Sequence, residues 1–218
     1  PPGEDTLAER RGYTVAYVGE GKYKRLDGTS WRKPGWIESR VSNMSELPVT
    51  GVTWLEATAH CEALGLTLPS EAQWERAARS QDGRRYPWGD EKPSCSVANA
   101  GYFPKNQFCA KRPEAPGKYP RGQSVYGVQD VAGNVFEWVG DCRTDGYYWM
   151  KEGETWLDFP VNPTPPPAAY ADDCKSRMMR GGSWAFGYDA YLRPGARATE
   201  KAASMAEWSL GFRCAGLP

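Results

Sequence analysis

The sequence predicts an α+β domain with little regular secondary structure, and three observations carry that prediction. Its 218 residues include 24 Gly and 18 Pro, which imply many turns. Ten Trp and twelve Tyr accompany few Val and Ile, so aromatic rings must fill much of the core. Two short helices are well marked, while a handful of short apolar segments read as strands. The length suits a single domain over 1–218.

The polar opening PPGEDTLAERR is expected to be a mature or trimmed start without a signal peptide. A first helix is expected from Thr53, where T-W-L-E sets Thr53 and Glu56 as a capping box. Leu55, Ala59 and Ala63 repeat at helical spacing as its inward face, and Gly65 can end it in a left-handed conformation. A second helix starts at Ser70, capped with Gln73, and carries Trp74, Ala77 and Ala78 inward. The strand candidates are VYGVQDVAG, NVFEWVG, SRMMRGGSW and LGFRCA, forming a small twisted sheet against the two helices. On SRMMRGGSW, Met178 and Met179 point to opposite faces. Residues 147–173, with NPTPPPAAYADD, read as an irregular excursion stiffened by proline.

Charge and cysteines bound the function classes. Lys plus Arg and Asp plus Glu are 27 each, so no global field recruits nucleic acid or an anionic membrane. No apolar run approaches the ~18 residues a membrane span needs. The six cysteines stand at 61, 95, 109, 142, 174 and 214 without a C-x-x-C, and the chain has one histidine, His60. One imidazole cannot build the usual zinc sets that need His, or an iron site of two histidines and a carboxylate. Scattered cysteines in even number read as disulfides made outside the cytosol, in a periplasmic or secreted protein. His60 is expected to be a partly buried structural residue on the first helix.

Several segments together resemble one family: GVTWLEATAHCEALGLTLPSEAQWERAAR, YPWGD, YGVQDVAGNVFEWVGD, RGGSW and LGFRCA. In this order and spacing they look like the formylglycine-generating enzyme (sulfatase-modifying factor) family, from about Gly12 to Ala215. The resemblance implies a C-type-lectin-like variant of the α+β class, the formylglycine-generating enzyme fold. The family's opening Gly-Gly-x-Phe-x-Met-Gly strand has no counterpart here, so a sheet edge is expected to lie unpaired. Catalytic members of the family oxidise a cysteine with oxygen and a copper ion held by two thiolates, three and eight positions past the serine of the Gly-Gly-Ser turn. Counted from Ser183, those positions hold Phe186 and Tyr191, and no cysteine lies between Cys174 and Cys214. Copper(I) wants sulfur, so copper is not expected and no catalytic residue is assigned.

The resemblance also implies a structural calcium ion on DVAGNVFEW, held by the Asp130 side chain, the Gly133 and Val135 carbonyls and the Glu137 carboxylate. Hard oxygen ligands of this kind suit calcium. A second family site maps only onto Asn99 and Ala100, with its acidic loop replaced by NQFCAKRPEAPG, and is not expected. Cys61 and Cys214 match a disulfide of related enzymes. Cys95 with Cys109, and Cys142 with Cys174, are then available to pin a loop and the base of the excursion.

The segment RGGSWAFGYDAYLR lies where active relatives bind a substrate peptide. Ser183, Phe186, Tyr188, Tyr191, Arg193 and Arg197 are therefore the expected binding surface for a protein or peptide, with Trp184 buried beneath. The expected function is a non-catalytic binding module on a calcium- and disulfide-braced scaffold. One alternative is an oxidase or maturation enzyme of the same superfamily with another site or cofactor. Another is a retroelement-diversified ligand-binding protein; mutation of adenines in AAC codons cannot yield the tail's Glu200, Lys201, Met205, Glu207 or Trp208.

Overall fold

A computed structural model describes residues 4–36, 44–102, 105, 107–143, 174, 176–187, 189–197 and 200–216. The excursion expected over 147–173 and the candidate ligand residue Tyr188 lie outside these described residues. The elements run α1 (Leu7–Arg11), β1 (Tyr13–Gly19), β2 (Lys22–Asp27), α2 (Trp54–Ala63), α3 (Glu71–Arg79), β3 (Gly101–Tyr102) and β4 (Gln107–Phe108). They continue β5 (Phe136–Cys142), β6 (Arg177–Arg180), α4 (Asp189–Leu192), β7 (Glu200–Lys201) and β8 (Leu210–Phe212). This is the sparse α+β architecture expected.

The central sheet has the order β7-β6-β5-β8, with β5 antiparallel to β6 and parallel to β8. Both of its faces are covered, so β5 reads as an almost continuous buried run. Val139 and Met178 pack with Trp74 and Ala78 of α3 on one face. Phe136, Trp138 and Met179 pack with Ala57 and Cys61 of α2 on the other. The two adjacent methionines thus point to opposite faces, as strand geometry requires.

Both capping boxes form, Thr53 with Glu56 and Ser70 with Gln73. Gly65 ends α2 at φ 71°, its N–H on the Glu62 carbonyl and the Leu66 N–H on the Cys61 carbonyl. The inward face of α2 differs from the one expected. Leu55 is 63% exposed and Ala63 is exposed, while Ala57 and Cys61 are buried. Two anchors set this rotation: Cys61 bonds to Cys214, and the Trp54 indole N–H donates to the Val139 carbonyl at 2.8 Å. His60 is exposed rather than partly buried, its ring edge-on to Phe212.

VYGVQDVAG is not a strand. Gly127, Asp130, Gly133 and Asn134 all have positive φ (75°, 56°, 82° and 60°), which breaks an extended chain into successive turns. The N-terminal part folds into capped α1 and a β1–β2 hairpin. β1 also docks alongside residues 206–208: the Val15 N–H donates to Ala206 and the Trp208 N–H to Val15. The edges of the central sheet are short, two residues in β7 and three in β8.

All six cysteines pair, Cys61 with Cys214, Cys95 with Cys109 and Cys142 with Cys174. Such bonds fit an oxidising compartment. Among the described residues no helix is long and apolar enough to cross a membrane.

Candidate functional site

The Gly-Gly-Ser turn leaves β6 and enters the aromatic segment. Gly182 is needed twice over: φ is 75°, and a Cβ there would lie 3.1 Å from a Leu192 methyl. The Ser183 hydroxyl accepts from the N–H groups of Ala185 (3.3 Å) and Phe186 (3.0 Å), closing the turn. Ser183 is fully buried, so its part is to shape the turn rather than to offer a hydroxyl at the surface. Trp184 is buried, as expected, with Trp208 edge-on at 4.8 Å.

Phe186 and Tyr191 border a pocket of about 220 Å³ between the β1–β2 hairpin and the central sheet. Tyr17 and Tyr23, a cross-strand pair, form its hairpin side, and the Tyr17 and Phe186 rings meet at 4.9 Å. Gly21, Phe136, Met179, Lys201, Glu207 and Ser209 complete the lining among the described residues. The sequence reading missed Glu207. Its carboxylate is 2% exposed and accepts from the Ser209 hydroxyl at 2.9 Å, with longer contacts from the Ser209 and Tyr17 N–H groups. Burial pushes its pKa up to about 7 against the pull of Ser209 and Lys201.

Of the other described candidate ligand residues, neither Arg193 nor Arg197 lines this pocket. Arg193 is exposed, paired with Asp189, and borders a separate depression with Arg79, Arg84 and Arg85. Arg197 donates to buried Glu71 at 2.9 Å. Glu71 also pairs with Arg180, whose side chain is wholly buried and reaches Glu75 and the Pro194 carbonyl. This network ties α3, β6 and the segment after α4 together.

The turn before β5 meets the requirements of a hard cation in part. Asp130 accepts from the Gly117 N–H at 2.7 Å through one oxygen, leaving the other. Burial holds its carboxyl above the usual range, with the charge of Glu137 adding to the effect. Gly133 and Val135 are buried, yet neither carbonyl accepts a hydrogen bond from a described residue. Glu137 is more committed than expected: it accepts from Trp74 Nε1 at 2.6 Å and from Arg213 Nε and Nη2 at 2.6 and 2.5 Å. Among the described residues no group of three acidic, histidine or cysteine side chains is placed to hold a metal ion, so the oxygen donors on this turn are Asp130 and the Gly133 and Val135 carbonyls, with Glu137 engaged by Arg213. Asn99 instead ties a loop, donating to Arg112 O and Asn134 Oδ1 and accepting from Ala110.

Comparison with known proteins gives this geometry a context. The chain matches the sulfatase-modifying factor enzyme 1-like domain over residues 5–216. It is 36% identical over 199 residues to a formylglycine-generating enzyme of Streptomyces coelicolor, covering 86% of this chain and 58% of that protein. It is 32% identical over 192 residues to the inactive C-alpha-formylglycine-generating enzyme 2 of Bos taurus, covering 85% of this chain and 55% of that protein. The chain therefore spans little more than half the length of these relatives. In three dimensions it is similar to PvdO from Pseudomonas aeruginosa, with a TM-score of 0.64, 22% identity, and coverage of 92% of this chain and 70% of that one. At that identity the likeness speaks for the fold alone.

Proposed function

We propose a recognition function without copper chemistry for this chain, which belongs to the sulfatase-modifying factor enzyme 1-like family. One observation carries the reading: every sulfur of the six cysteines is bound to another, and Phe186 and Tyr191 stand where the family resemblance would place the thiolates. Copper(I) needs soft thiolate or thioether donors. Phe186 and Tyr191 supply none, and they line a pocket instead. The ligand is a protein or peptide whose side chain enters that pocket, and the fold serves as a rigid frame. Calcium is part of this reading as a brace. Asp130, the Gly133 and Val135 carbonyls and a share of Glu137 would hold it, and it would fix the turn that positions β5. The disulfides support a place outside the cytosol.

Anaerobic titration with copper(I) against a chromophoric chelator tests the reading. The protein is expected to leave the metal with the chelator, as a Tyr191→Phe variant also should. Retention of one equivalent of copper(I) by the native protein overturns it.

A further inference from the structure

We propose that the pocket between the hairpin and the Gly-Gly-Ser turn binds an organic ammonium group, the side chain of a lysine in a peptide ligand, with Glu207 as its counter-ion. This rests on the recognition reading above and names the chemistry that the pocket selects.

Glu207 is the residue that sets the chemistry of the pocket. Its carboxylate is buried at the pocket, held chiefly by one hydroxyl, with no ion pair among the described residues. An anion taken out of water is costly unless a cation or several donors replace its hydration. Among the described residues that line the pocket, Lys201, at the short edge strand β7, carries the one formal positive charge. Its ammonium does not reach Glu207. It sits over the Tyr17 and Tyr23 rings, 4.9 and 4.6 Å from their centroids, and donates to the Tyr23 hydroxyl. Aromatic faces attract cations, the more so where water is excluded.

A lysine ammonium thus already sits over aromatic rings of this pocket, and a buried carboxylate with no ion pair among the described residues lines it too. The Phe186 and Tyr191 rings line the same space. About 220 Å³ admits a slim side chain and not a folded segment. A ligand lysine entering here displaces Lys201 from the rings and brings its charge to Glu207. An acidic ligand meets a buried like charge, and a neutral one leaves that charge unanswered.

Calorimetric binding of N-acetyl-lysine-N-methylamide to the whole protein, in mildly alkaline buffer, tests this against the neutral norleucine analogue, the acidic glutamate analogue and n-butylammonium. The lysine amide is expected to bind and the norleucine amide not to. Lys201→Met should tighten lysine binding about tenfold by removing the internal competitor, and Glu207→Gln should weaken it about tenfold or more. The Lys201→Met result stands even if Glu207→Gln fails to fold. Equal affinity of n-butylammonium assigns the site to a free amine, weaker affinity to a peptide lysine, and both uphold an ammonium site. Equal binding of lysine and norleucine amides, or no tightening in Lys201→Met, overturns it. Binding of the glutamate amide alone overturns the ammonium assignment while leaving the recognition reading intact.

Discussion

Replacing Glu207 by Gln should make the protein more stable at neutral pH and no different in acid. The folded-state pKa of Glu207 is raised from 4.5 to about 7, because its burial disfavours the charged form. The fold therefore holds the proton more tightly than the unfolded chain does. Its contribution is fully present below pH 4.5 and is lost as pH rises through 7. A shift of this size corresponds to about 3 kcal/mol, on the order of a quarter or more of the stability of a typical domain. The amide keeps the volume, and its oxygen still accepts from Ser209, so the charge is the main quantity removed. Urea unfolding of both proteins at pH 4.5 and above pH 7 provides the assay. The curves should coincide in acid, and the variant midpoint should lie roughly 1–2 M higher above pH 7. Glu9, Glu114 and Asp189 have lowered pKa values and act in the opposite direction, while Asp130 acts in the same one. The difference between the two proteins cancels all four. Parallel pH profiles for wild type and variant would refute the burial of an uncompensated carboxylate.

Three further outcomes are expected. A calcium chelator should lower the melting temperature by roughly 5–10 °C if the metal was present at about a hundred times its Kd, and Asp130→Ala should abolish that sensitivity; a melt indifferent to chelator contradicts the brace. Arg180→Met leaves buried Glu71 without its main partner and should cost about 3–5 kcal/mol in urea unfolding, whereas a change near zero would show the network to be dispensable. Removing the Cys61–Cys214 bond, which spans 153 residues, should cost up to about 5 kcal/mol in the chain-entropy picture, read as a lower unfolding midpoint; an unchanged midpoint rejects that bond as a brace.

The parts of the fold written in local patterns were legible. Thr53 and Ser70 announce their helices because a capping box is complete within four residues, and Gly65 marks a helix end for an equally local reason. Strands β6 and β8 fall inside the expected segments, and β5 overlaps NVFEWVG but runs two residues further, to Cys142. The face of α2 was not legible: Leu55 is the more apolar residue, but a disulfide and an indole hydrogen bond from distant segments turn Ala57 and Cys61 inward. Asp130 and Asn134 adopt positive φ in a stretch whose composition alternates like a strand. The β1–β2 hairpin does carry a local signal, the alternating TVAYV before Gly19-Glu20-Gly21. Glu207 carried none. In AEWSL a glutamate reads as solvent-facing, and only docking of β1 alongside residues 206–208 buries it. The aromatic replacement at 186 and 191 was readable by counting, but the pocket those rings border depends on Tyr17 and Tyr23 from the other end of the chain.

The proposed function has recognition in place of copper-dependent oxidation, with rings where the family resemblance puts thiolates. The most direct measurement supplies copper(I), dissolved oxygen and a sulfatase-type cysteine peptide, then follows oxygen uptake and the mass of the peptide together. The account predicts no uptake above the protein-free control and an intact cysteine. Stoichiometric oxygen consumption with conversion of that cysteine to an aldehyde would contradict it.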